Sequence, residues 1–278
     1  MTIDLIEKTY PLVDEKFSAE SKTSLITNNF FDFEGAHSVK IYKITTAPME
    51  DYDRSGSKKK QSRYGNMDTL GAITSTYELS KDRSFTYVLD LLDVDETQMA
   101  LEATTSLGRQ TREVIIPEVD SYVINQMILN AGTKAEPATL TSDNIYDEIL
   151  KANQTLDEAM VPDTPRYLVV TPEIYTLIKR NKDFLMATDL AQEAKIKGVV
   201  ATIDGLNVIK VPSNRVPKNF GFMVCSPSST VAPVKLAQFR VHDNPPGLSG
   251  QLIEGRIVYD AFVLDNKKKG IYYLPKQA

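Results

Sequence analysis

The stretch APMEDYDRSGSKKKQSRYGNMDTLG, from Ala47 to Gly71, is polar, charged and punctuated by glycine, and it holds almost nothing that a core would take up. Strand-forming sequence flanks it on both sides, HSVKIYKITT before and STYELSKDRSFTYVLDLL after. Connections of this length are uncommon inside compact domains and are either functional or disordered. In the second flank Phe85, Tyr87 and Leu89 alternate with Thr86, Val88 and Asp90, the period of a half-buried strand. Two strands joined by a long polar tongue predict an extended β-hairpin. Its tip buries nothing within its own chain.

Such a hairpin needs a body to carry it, and the chain has one. At 278 residues, 42% hydrophobic and 25% charged, it is long and apolar enough for one large domain or two medium ones. The segment from Asp93 to Gly132 predicts a long helix: Asp93 or Asp95 caps its start and Asn130-Ala131-Gly132 stops it. Pro117 lies inside that run and kinks the helix or opens a new one, with Glu118 and Asp120 near its positive end. Val119, Tyr122, Val123 and Met127 then follow i, i+3, i+4, i+8 spacing, one apolar face. Ser142 to Met160 is a second amphipathic helix, on Ile145, Ile149, Leu150, Ala152 and Leu156. RYLVV and NFGFMVCSP read as buried strands, Pro172 opens a further helix, and Asp204-Gly205 turns a hairpin. The class is α+β with at least two layers.

Chemistry has little raw material. There is one cysteine, so no intrachain disulfide forms, and assembly in a reducing compartment is expected. There are two histidines and no tryptophan. Ser55 and Lys58 match a Ser-x-x-Lys pattern, yet they lie in a solvated, glycine-broken tongue instead of at a buried helix start. Cys225 sits in the apolar run GFMVCSP, where a small core residue is the expected role, and a pair with His242 is not. Asp93, Asp95 and Glu96 resemble oxygen ligands, but helix capping accounts for them. Lys267 to Lys269 read as a solvated turn, and no phosphate-binding glycine loop occurs. Neither an enzyme nor a cofactor is expected. The net charge of -5 argues against a dedicated nucleic-acid surface. The N-terminal MTIDLIEKTYPLVDEKF carries acids early and no long apolar core, so it does not read as a signal peptide. No run approaches the roughly 18 apolar residues of a membrane span.

The order of parts, with the stretch REVIIPEVDSYVINQMILNAG resembling a recurrent R-x-x-x-x-P-E-x-D-x-Y pattern, is similar to the major capsid proteins of tailed bacteriophages, the Hong-Kong-97-type shell fold. The resemblance implies an N-terminal arm at 1–36 and an extended loop at 37–90. It implies a peripheral domain with the spine helix at 91–140 and 228–250, and an axial domain at 141–227 and 251–278. It further implies copies in pentamers and hexamers, an icosahedral virion shell around double-stranded DNA, and no membrane. Assembly would take place in the host bacterial cytoplasm. The N-terminus has no room for a cleaved scaffolding segment, so a separate scaffolding protein and a portal are expected. In this picture Glu50, Asp51, Asp53, Arg54, Lys58, Lys59, Lys60 and Arg63 make the loop tip's contact with a neighbouring subunit. Val119, Tyr122, Val123 and Met127 form the core face of the spine. An encapsulin-like compartment with enzyme cargo shares the fold and is the alternative.

Overall fold

The computed structural model describes residues 21–28, 38–44, 46–47, 49–56, 62–65, 69, 71–91, 103–181 and 202–277. The chain divides into a small unit, Phe33–Leu79, and a main unit of Met1–Asp32 with Ser80–Ala278. In the small unit β1 (Ser38–Ile44) pairs antiparallel with β2 (Ala72–Glu78), from Ser38 opposite Glu78 to Ile44 opposite Ala72. The sequence beyond the tongue therefore splits. Ala72–Glu78 closes the hairpin, while β3 (Lys81–Asp90) belongs to the main unit and pairs with β11 (Gly250–Tyr259). The hairpin unit ends at Leu79, short of the expected boundary at residue 90.

The long helix runs as α1 (Ala103–Gln110), a π turn (Thr111–Ile115) and α2 (Ile116–Leu129). The expected N-terminal caps Asp93 and Asp95 lie outside the described residues. Pro117 stands at the start of α2, directly after the widened turn. Its ring excludes the ordinary i→i−4 bond, so the helix passes through a π turn and restarts instead of breaking.

A six-stranded sheet forms the centre of the main unit, in the order β4 (Thr133–Lys134), β13 (Ile271–Pro275), β8 (Phe220–Cys225), β5 (Arg166–Val170), β7 (Leu206–Lys210), β6 (Thr202–Ile203). β5 and β7 are parallel, joined through α4 (Pro172–Arg180), whose N-cap Thr171 accepts from the Ile174 N–H. β6 and β7 form the hairpin that Asp204-Gly205 turns, with φ of 47° and 75° at the two residues, the left-handed pair this turn type requires.

Period-2 alternation sends the side chains to two cores. Leu168, Val170, Phe222, Val224 and Leu274 pack against Ile174 and Ile178 of α4 and against Ile145, Ile149, Ala152 and Leu156 of α3 (Ile145–Glu158). On the opposite face Val169, Met223, Cys225, Ile271 and Tyr273 meet Val119, Val123, Ile124 and Met127 of α2. The sheet is thus covered on both sides, which explains why the six residues of β8 are all buried. The helix expected to be the spine shares this core with the sheet assigned from sequence to a separate axial domain.

The second sheet has three strands, β10 (Val234–Asp243), β11 and β3. Gly255 of β11 lies directly opposite both Phe85 and Phe239, and any Cβ there would run into their rings. The segment expected to return to the axial domain from residue 251 therefore starts in the three-stranded sheet and reaches the larger sheet only at β13. A short pair, β9 (Thr230–Val231) with β12 (Phe262–Val263), completes the unit. Among the described residues no helix is long and apolar enough to cross a membrane.

Candidate functional site

The polar residues of the Pro-Glu-x-Asp-x-Tyr stretch, at the start of α2, hold three separate parts of the main unit together. Glu118 Oε1 accepts from Arg83 Nε of β3 and from the Tyr259 hydroxyl of β11, each at 2.9 Å. Arg83 and Glu118 are 62% and 40% exposed, so their ion pair is worth little by itself. Burial pushes the Tyr259 phenol far above its ordinary range, and the Glu118 carboxylate adds to the shift. A neutral Tyr259 is therefore a lasting donor.

Tyr122 lies one turn on, on the same flank of the helix. Its hydroxyl donates to Asp260 Oδ1 at 2.8 Å, and its ring meets Tyr259 edge-on at 5.5 Å. Asp260 also accepts from the Ala261 N–H at 2.7 Å and, through Oδ2, from the Ser80 N–H at 2.8 Å. Ser80 is the first residue of the main unit after the small one.

Asp120 faces the other way. At about 100° per residue it stands roughly 200° around the helix from Glu118 and Tyr122. It is fully buried, in line with Ile116 and Ile124. Oδ1 accepts from Ser21 Oγ and Thr23 Oγ1, both at 2.7 Å. Oδ2 accepts from the Lys22 N–H at 3.1 Å and from an Arg215 guanidinium N–H at 2.8 Å. Four donors fill the sites a carboxylate offers. The segment that supplies three of them is itself a tight turn: Ser24 Oγ donates to the Ser21 carbonyl, and Thr27 Oγ1 and the Ile26 N–H donate to that of Thr23. Ile26 is buried in the core with α2, and the Asn28 N–H donates to the Thr230 carbonyl at 2.7 Å. This part of the expected arm packs on its own chain.

In the small unit the tongue is organised by Asp53. This buried carboxylate accepts from Ser55 N–H, Ser55 Oγ and Gly56 N–H at 3.1, 2.9 and 2.9 Å, while the Asp53 N–H donates to the Arg63 carbonyl. Ser62 and Gly65 exchange backbone hydrogen bonds, and Tyr52 and Tyr64 meet edge-on at 5.0 Å. Of the expected contact residues, Glu50, Asp51, Arg54 and Arg63 are exposed, whereas Asp53 is turned inward and shapes the loop. Lys58, Lys59 and Lys60 lie outside the described residues. Of the expected spine face, Val119, Val123 and Met127 are buried and Tyr122 is half-buried.

Among the described residues, those weighed for chemistry do not come together. Cys225 is enclosed in β8, and burial pushes its thiol up to about 12; His242 on β10 faces Glu254 at 3.3 Å. Ser55 Oγ is engaged by Asp53. Asp93, Asp95 and Glu96 lie outside the described residues, and no cluster among the described residues offers a metal three ligands. Lys268 pairs with Asp265 in a 3-10 turn. The sequence reading placed Asp120 only as a helix-start acid and missed Asp260 and Arg215. For Asp120 a signal exists: an acid at i+4 from one core isoleucine and i−4 from another must be buried, and a buried acid needs donors.

The sequence profile of the family described as Phage capsid protein matches residues 73–274. Among solved structures, one from Mycobacterium phage Che8 superposes with a TM-score of 0.70 at 17% identity, covering 99% of this chain and 93% of that one. The capsid structure of the cyanophage P-SCSP1u gives 0.65 at 12% identity, with 100% and 90% covered. The virus-like particle from Pyrococcus furiosus gives 0.57 at 10%, with 94% and 95% covered. No curated protein matches the chain. The chain therefore belongs to the phage capsid protein family and is a virion structural protein, a major capsid protein with the Hong-Kong-97-type fold of tailed bacteriophages.

Proposed function

We propose that copies of this chain form pentamers and hexamers that close into an icosahedral shell around double-stranded DNA, and that the chain has no catalytic role. The family match across 73–274 carries this reading. The small unit, Phe33–Leu79, is the extended loop, and its tip lies on a neighbouring subunit. There Glu50, Asp51, Arg54, Arg63 and Lys58 to Lys60 steer and register the contact, since exposed mixed charge sets orientation more than affinity. Asp53 acts indirectly, by holding the tip in shape. Val119, Tyr122, Val123 and Met127 form the face on which the spine helix packs. A separate scaffolding protein and a portal take part in assembly, in the host bacterial cytoplasm.

Negative-stain electron microscopy of the protein, expressed alone and with the genes beside its own, tests this reading. Closed shells or rings of five and six are expected. A monomer in both settings overturns it. A second reading, a compartment for protein cargo, draws on the likeness to the Pyrococcus furiosus particle. Nuclease-protected DNA inside the shells excludes it; a co-purifying protein cargo without DNA supports it.

A further inference from the structure

The three donors that residues 21–23 supply to Asp120 define more than a packing contact. The Lys22 side chain is exposed, yet its own N–H is bonded to Asp120 and the residues on both sides of it are buried. Ser21 and Thr23 both aim their hydroxyls at Oδ1, and the turn bonds from Ser24 and Thr27 keep them aligned. Downstream, Ile26 fills the apolar core beside α2, and Asn28 forms a bridge with Val231. Arg215, from the short turn Ser213–Arg215, closes the other carboxylate oxygen.

If this segment left, Asp120 Oδ1 would lose both side-chain donors inside a core, Oδ2 would keep Arg215 alone, and the site of Ile26 would empty. A buried carboxylate stripped of donors is costly, so the segment and the carboxylate hold each other in place.

We infer that Asp120 and Arg215 form a latch that fixes the root of the N-terminal arm, Ser21–Asn28, on its own subunit. The latch fixes Ser21, and with it the point from which the earlier residues of the arm continue toward a second copy of the chain. This rests on the reading of the N-terminal segment as an arm that contacts neighbours. Asp120, Ser21, Thr23 and Arg215 are accordingly positioning residues for that contact and take no part in it themselves.

Lys22 provides the test. Trypsin needs an extended backbone across the Lys22–Thr23 bond, which the latched segment denies it. Unassembled full-length subunits are digested briefly, and the fragment ending at Lys22 is followed by mass spectrometry. Cleavage through transient opening tracks the open population. Losing two hydroxyl–carboxylate bonds in Ser21→Ala/Thr23→Ala therefore raises cleavage at Lys22 at least about tenfold. Asp120→Ala should raise it further. Because that variant risks misfolding, the hydroxyl variant, which keeps Asp120 and Arg215 intact, decides the matter. Equal rates in the wild type and the hydroxyl variant overturn the latch, whatever happens in assembly. Faster cleavage with normal shells leaves the latch standing and removes the arm from the assembly contact. Faster cleavage with shells that are mis-sized or fail to close supports both.

Discussion

Replacing Arg166 isolates a hydrogen-bond network that a purely apolar account of the six-stranded sheet would ignore. Arg166 opens β5 and is 2% exposed. Its Nε donates to the Pro162 carbonyl at 3.0 Å. One terminal nitrogen serves Asn153 and Asp157, and the other serves the Val161 carbonyl and Asp163. All five N–H groups are used. Asp157 and Asp163 are 53% and 86% exposed, so both rehydrate when the cation goes, and each contributes at most about 1 kcal/mol. The two backbone carbonyls and Asn153 matter more, at about 1 kcal/mol each. Arg166→Met keeps the stem and loses every bond, and should cost about 3 kcal/mol. Arg166→Lys keeps the charge and up to three donors without the planar fork, and should cost about half as much. An opposing effect must be weighed: apolar replacement of a buried ion pair is often neutral or stabilising. Here methionine cannot satisfy the carbonyls of Val161 and Pro162, so the sign stays destabilising. Urea unfolding followed by far-UV circular dichroism reads the midpoint, with an unchanged slope confirming an effect on stability alone. Arg166→Met within 1 kcal/mol of the wild type, a tolerance set by the worth of one hydrogen bond, would refute the reasoning. So would Arg166→Lys with no loss.

Met160 closes α3 in a left-handed conformation, φ 55°, while 90% exposed, with the Val161 N–H bonded to the Leu156 carbonyl and its own to that of Asp157. Glycine is at ease there, so Met160→Gly should raise stability by about 0.5–1 kcal/mol, read as a higher urea midpoint. Burial, the leading cause in each case, pushes up the phenols of Tyr87, Tyr122, Tyr259, Tyr272 and Tyr273, and it lifts the Cys225 thiol from 9.0 to about 12. The folded state thus holds these protons more tightly than the unfolded one. Their stabilisation is complete below the unfolded values and drains away as pH rises, from about 9 for Cys225 and about 10 for the tyrosines. Melting temperature should fall over that window, less steeply at its start in Cys225→Ala; a flat profile up to pH 11, beyond the ordinary tyrosine value, contradicts the assignment. Asp53→Ala removes three hydrogen bonds confined to the tongue, so amide exchange at Ser55 and Gly56 should quicken at least about tenfold while the global urea midpoint stays put.

What the sequence discloses and what it withholds divide along the length scale of the interaction. α3 and the Asp204-Gly205 hairpin were legible because their signals are local: a 3.6-residue period in one case and two left-handed residues in the other. The partner of β3 was not legible. Phe85 pairs with Gly255, and nothing near Phe85 distinguishes its strand, β3, from β2, which pairs with β1. Pro117 announced an interruption but not its form, because a kink, a π turn and a fresh helix start all dispense with the N–H that proline lacks. Asp53 looked like a surface charge among other charges. Its burial depends on backbone donors two and three residues ahead, which any aspartate before Ser-Gly could find or forgo. Asp120 was visible as a helix-start acid, whereas its donors lie 97 to 99 residues before it and 95 residues after it.

That separation suggests why carboxylates serve at these joints. Asp120 joins residues 99 apart with Ser21, and Asp260 joins residues 180 apart with Ser80. Apolar contacts over such distances tolerate a slip of one residue, since one branched side chain replaces another at small cost. A buried carboxylate tolerates none, because a slipped segment leaves acceptors unpaired in the core. Asp120 and Tyr122 lie on opposite flanks of one helical turn, so a single element holds both the Ser21–Thr23 turn and, through Asp260, Ser80. Both joints are made within one chain, so they are set before the subunit meets another copy.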